Sequence, residues 1–176
     1  EGHRAIRELS SRAWLNSYWD RGMERVTVTY DDLKEIVSKY PNTLIATTAC
    51  LGGELSTHAL AMQLAEDVGD TNTAYEHHTA IIDFIQYCIK LFGDDFYIEC
   101  APATTEDQMI VNRKLYRIAK AFDIKMVAGT DAHYLTKEDR QIHKAYLNSK
   151  GGEREVDSFY EFSRLMDYNE AAELLL

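Results

Sequence analysis

Apolar residues recur at two periods along this chain, and the alternation between them sets out its elements. Ala5 to Arg21 carries Ile6, Leu9, Ala13 and Tyr18 near helical spacing, so a first helix is predicted there. "TYDDLKEIVSKYPN" predicts a second, with Asp31 or Asp32 near its start and Pro41 past its end. "TLIATTAC", residues 43–50, is short and β-rich and reads as a strand. Gly52-Gly53 then opens a helix, "ELSTHALAMQLAE". The polar run "DVGDTNT", residues 67–73, reads as a loop, and "AYEHHTAIIDFIQYCIKLFG" as a long helix closed by Gly93.

The remaining segments repeat the alternation. "DFYIECA", residues 95–101, is a strand stopped by Pro102. "TTEDQMIVNRKLYRIAKAFD" is an amphipathic helix, with Thr104 and Asp107 spaced as a capping box. "IKMVAGT" is a third strand, and "TKEDRQIHKAYLNSK" a helix capped by Thr136 and ended by Gly151-Gly152. A short helix from about Asn169 closes the chain. The middle therefore reads β-α-α-β-α-β-α, which predicts an α/β fold of parallel strands joined by crossover helices. Three evident strands are thin for a complete parallel sheet. With no initiator Met and a start inside a helical pattern, the chain is expected to be part of a longer protein.

Bulk composition narrows the classes. The 176 residues are 45% hydrophobic and 27% charged, in the ordinary globular range. No apolar run approaches the length of a membrane span, and no apolar signal region opens the chain. The net charge of −10 argues against a broad nucleic-acid face, which needs clustered Lys and Arg. It leaves room for a local acidic site that holds cations. Cys50, Cys88 and Cys100 make an odd count without a secretion signal, so they read as reduced thiols in a cytoplasmic protein.

In parallel α/β folds, functional side chains gather at the C-terminal ends of strands. One predicted strand ends in Cys50. Another is followed by Asp131 and His133, in "AGTDAHYL". Thiolate, carboxylate and imidazole at adjacent strand ends suit one transition metal. On an extended segment Asp-x-His points both side chains one way; Ala132 between them is small, and Gly129 is expected to let the backbone turn. The plainer alternatives stand beside this: Asp131 as a cap, His133 as a satisfied interior histidine, Cys50 as a small buried hydrophobe. Cys88 and Cys100 read as core, His58 and His143 as isolated helix residues, and His77-His78 as surface or boundary residues. Glu99, near the end of its strand, is placed so that it could face the same mouth. No G-x-S-x-G elbow and no P-loop is present.

"TLIATTACLGGEL", "FYIECAP" and "IKMVAGTDAHYLTKEDRQIH" resemble, in order, the later half of the polymerase-and-histidinol-phosphatase (PHP) domain of the bacterial DNA polymerase III alpha subunit. "EGHRAIRELSSRAWLNSYW" is similar to the helix before that half, and "FYEFSRLMDYNEAAELL" to the segment that ends the domain. The resemblance implies part of a distorted seven-stranded PHP-type barrel. It makes residues 1–176 a single partial domain, the polymerase palm lying outside. It also implies that Cys50, Asp131 and His133 stand at metal-ligand positions of a cluster of zinc, manganese or magnesium in the complete domain. Metal-bearing relatives are 3′–5′ exonucleases. The family's His-x-His and its other upstream ligands have no counterpart here, and His3 lies in a helix the family does not use for metal. The cluster is therefore expected to be incomplete in this chain, with little activity from the chain alone. The implied partners are the remainder of the alpha subunit, DNA through that parent and other replisome subunits, with no membrane. A stand-alone histidinol-phosphatase-like phosphoesterase and a metal-free scaffold are the alternatives.

Overall fold

Thr29 starts one helix by a reciprocal exchange that names its own partners. In the computed structural model, which describes residues 1–20, 22–149 and 160–175, the Asp32 backbone N–H donates to Thr29 Oγ1 at 3.1 Å, and the Thr29 N–H donates to Asp32 Oδ2 at 3.2 Å. This capping box opens α2, Tyr30–Lys39, and settles the expected Asp31-or-Asp32 start on Asp32 as reciprocal partner. The chain divides into two compact units, Glu1–Ala46 with Ile85–Phe96, and Thr47–Phe84 with Tyr97–Leu176.

In the first unit, α1 spans Gly2–Leu15, shorter at its end than the sequence pattern predicts. Tyr18 leaves the helix and joins an antiparallel hairpin of β1, Tyr18–Asp20, and β2, Met23–Arg25, with Asp20 opposite Met23. Gly22 sits at φ 76°, a turn conformation open to glycine, and this lets the chain reverse between β1 and β2. Ala5, Ile36 and Tyr40 form the unit's buried core, with Leu9 and Leu44 against it. Above it, the Arg12 guanidinium forks onto Glu35 at 2.7 and 2.8 Å, while Lys39 and the Tyr40 hydroxyl donate to Glu8.

The second unit carries a three-stranded parallel sheet in the order β3-β4-β5. β4, Phe96–Cys100, and β5, Met126–Ala128, pair in parallel with Glu99 opposite Val127. The mixed α/β class and parallel strands agree with the sequence. β3, however, is only Ala46–Thr47. Its expected continuation to Cys50 ends because the Glu99 N–H is taken by the Thr48 side chain at 2.9 Å and Ala49 turns to φ 62°.

The helices also shift at their ends. α3 is Glu54–Asp67, and α4 is Thr71–Phe92, starting inside the stretch expected to be loop. Asp70 is the reason: its carboxylate accepts the Thr73 N–H at 3.1 Å and hydroxyl at 2.8 Å, a cap hidden in a polar run. α5, Glu106–Phe122, starts at Thr105 without a side-chain cap, so the expected Thr104–Asp107 box is corrected. α6 is Arg140–Asn148; Thr136 instead closes a turn ahead of it, its N–H and hydroxyl both donating to Asp139 at 3.0 Å. Gly151-Gly152 lies outside the described residues. α7, Tyr168–Leu175, agrees with the predicted tail helix. Ile98, Leu55, Ala59, Val111 and Leu115 form the apolar interior, and Lys114 of α5 reaches Glu66 of α3 at 2.8 Å across it.

Candidate functional site

The ends of the three strands build one cavity, and each rim has its own local cause. After β3, the Gly53 N–H donates to the Cys50 carbonyl at 2.9 Å, closing the turn Cys50-Leu51-Gly52-Gly53. A Cβ at Gly53 would run into the Thr48 carbonyl, so this glycine is fixed by close backbone approach. After β4, Asn112 of α5 brackets Ala101: its side-chain amide donates to the Ala101 carbonyl at 2.8 Å and accepts the Ala101 N–H at 3.3 Å. Pro102 behind it is fully buried. This aims the start of α5, with Glu106 and Asp107, at the same mouth.

After β5, Gly129 serves a purpose different from the expected turn. A Cβ there would fall inside the Glu99 carboxyl, so Gly129 is the floor on which Glu99 rests. Thr47 fixes that carboxyl by donating to Glu99 Oε2 at 2.8 Å. The turn comes two residues later, at Asp131, whose φ is 45°. A left-handed conformation at a non-glycine residue costs energy and is over-represented at functional sites.

Asp-x-His is therefore a turn here, not extended strand. His133 folds back so that Nδ1 lies 2.7 Å from the Asp131 carbonyl oxygen. A carbonyl only accepts, so Nδ1 is the donor, and in the neutral ring Nε2 is the nitrogen left to act as a ligand. His133 is also held by its N–H on the Ser163 carbonyl at 2.8 Å and by ring packing against Tyr160 and His143, with centroids at 4.8 and 5.5 Å. His143 is thus not isolated; burial, and then the neighbouring His133, lowers its pKa.

The cavity measures about 430 Å³. Cys50 and Asp131 both line it, joined by Glu106, Asp107 and Gln108 from α5 and by Phe162 and Ser163. His133 is not among the described lining residues. Among the described residues the cavity's charged lining is carboxylate, which favours a cation. Glu106 and Asp107 were missed in the sequence, although they follow a strand end just as Cys50 and Asp131 do. Cys100, expected in the core, is only half-buried and lies apart, with Sγ 3.5 Å from the Val127 carbonyl and its pKa pushed up by desolvation.

The donor types suit a metal: a thiol, a carboxylate, and an imidazole oriented through Nδ1 with Nε2 open. The arrangement does not make a complete site. Among the described residues no group of three or more His, Cys, Asp or Glu side chains is gathered to hold a metal ion.

The chain is 48% identical over 174 residues to the probable DNA polymerase YorL of Bacillus subtilis strain 168, and equally to a DNA-directed DNA polymerase of Bacillus phage SPbeta. The chain is similar to a segment of DNA polymerases. These alignments take in 98% of the chain, which spans about 13% of the length of these two relatives. The DNA polymerase III subunit alpha of Aquifex aeolicus is 36% identical over 113 residues, 64% of the chain and 8% of that protein. No protein-family model matches the chain. No helix among the described residues is long and apolar enough to cross a membrane.

Proposed function

We propose that this chain is a PHP-type segment of a replicative DNA polymerase, the part that frames an acidic cavity at the ends of its strands. The similarity along 98% of the chain to proteins named DNA polymerase carries this reading. In the parent, the activity is DNA-directed DNA synthesis on a primed template. The segment supports the polymerase and contributes Cys50, Asp131 and His133 to a divalent-metal site whose other ligands come from elsewhere in the parent. A seven-stranded barrel, completed by strands of the parent, is the fold that accommodates the three parallel strands seen here. The partners are then the rest of the polymerase, its DNA and other replisome subunits, in the cytoplasm.

A second reading is a scaffold without metal. It is favoured by one observation: among the described residues no three or more His, Cys, Asp or Glu side chains gather as a ligand group. The two readings separate in the full-length parent. Under the metal reading, Asp131→Asn and His133→Gln abolish bound metal and 3′–5′ exonuclease activity while primer extension persists. Under the scaffold reading, neither metal content nor exonuclease activity is present to lose. Absence of primer extension by the intact parent would overturn the polymerase assignment itself.

A further inference from the structure

Away from the strand-end cavity, α3 and α4 bring His58 and His77 together. Their Nδ1 atoms lie 2.9 Å apart, with ring centroids at 5.2 Å and planes tilted by 49°. The sequence reads His58 as an isolated helix residue and His77 as a surface or boundary residue; a separation of 19 positions along the chain hides the pairing. Both rings are half-buried. Their helix neighbours include Leu55, Ala59 and Ile81, all buried, so the pair sits where apolar packing holds each backbone.

We propose that His58 and His77 form a two-imidazole site for a divalent first-row transition ion, with zinc as the probe. The geometry is close to what coordination needs. With bonds of roughly 2.0–2.1 Å at a tetrahedral angle, two ligand nitrogens stand about 3.3 Å apart. The observed separation reaches that value by a side-chain adjustment of a few tenths of an ångström. Imidazole suits zinc, copper and nickel. Without metal, one Nδ1–H donates to the other Nδ1. Binding moves that proton to Nε2 of the same ring, so both Nδ1 lone pairs face the ion and the neutral pair releases no net proton. Water fills the remaining positions. The site joins two consecutive helices and uses none of the strand-end residues.

Zinc titration of the full 176-residue chain after chelator dialysis tests this. Calorimetry is expected to show an equivalent of zinc that is lost in His58→Gln and in His77→Gln, and retained in the double variant Cys50→Ser with His133→Gln. Equal uptake by the wild type and both single variants overturns the site, as does no uptake by the wild type. Imidazole nitrogen NMR of the wild-type chain gives a reading that survives any failure of a variant to fold. Two rings are expected to change from mixed tautomers to Nε2–H with Nδ1 metal-bound. Imidazole nitrogens that do not respond to zinc refute the proposal.

Discussion

Gly129 and Glu99 show how a single missing side chain organises a strand end. The Glu99 carboxyl occupies the space where a Cβ at Gly129 would stand, and Thr47 pins its other oxygen. Gly129→Ala must push Glu99 aside or shift β5 against β4. It is expected to destabilise by about 1–3 kcal/mol, the usual range for overpacking. Glu99→Ala should relieve most of that cost when combined with it, so a double-mutant cycle by urea denaturation is expected to be strongly non-additive. Additive losses would show that Gly129 serves the backbone instead.

Caps decide where helices begin, and α2 shows the electrostatic side of this. Thr29→Ala removes one half of the capping box and is expected to cost about 1 kcal/mol in denaturation. The same helix holds Asp32 and Glu35, and α1 holds Glu8; all three carboxyls have lowered pKa values. For Glu8 the leading cause is the Lys39 hydrogen bond, for Asp32 the Thr29 hydroxyl, and for Glu35 the Arg12 guanidinium. A folded pKa below the unfolded one gives stability that is present above the ordinary carboxylate range and lost as the pH falls through the folded values. Melting temperature is therefore expected to fall on acidification below that range. Thr29→Ala should blunt the fall by removing the main cause acting on Asp32. An identical acid profile in wild type and variant would mean that Thr29 does not hold the Asp32 charge.

At the scale of the whole molecule, much apolar surface is left outside. Leu15, Trp19 and Trp14 are 85%, 74% and 59% exposed, and Tyr18, Met23 and Val28 are exposed near them in sequence. The three-stranded parallel sheet also has two edge strands, β3 and β5, and a sheet edge is a place where another chain can pair. Both features fit a segment whose surface is completed by other parts of a larger protein, and large exposed apolar patches promote association. Sedimentation velocity of the chain at micromolar concentration is expected to show concentration-dependent self-association, weakened by Trp19→Ser. A monodisperse monomer would contradict this.

The sequence by itself determined the α/β class, the order of the major elements and that Cys50 and Asp131 follow strands of one sheet. These follow from local periodicity and from the rule that parallel strands deliver side chains at their C-terminal ends. The start of α2 near Asp31 or Asp32 was legible for the same reason, while its capping box with Thr29 came from the structure. What the sequence could not show depends on residues distant along the chain. β3 is short because Thr48 bonds a backbone group of β4, and Gly129 is glycine because of Glu99. Asp131 and His133 share a turn instead of a strand face because Asp131 adopts a left-handed backbone and His133 is tied to Ser163. Glu106 and Asp107 join the cavity because Asn112 anchors the start of α5 to Ala101. His58 meets His77 only through the pairing of two helices. Local spacing sets which groups an element offers; the packing of elements decides which of them meet.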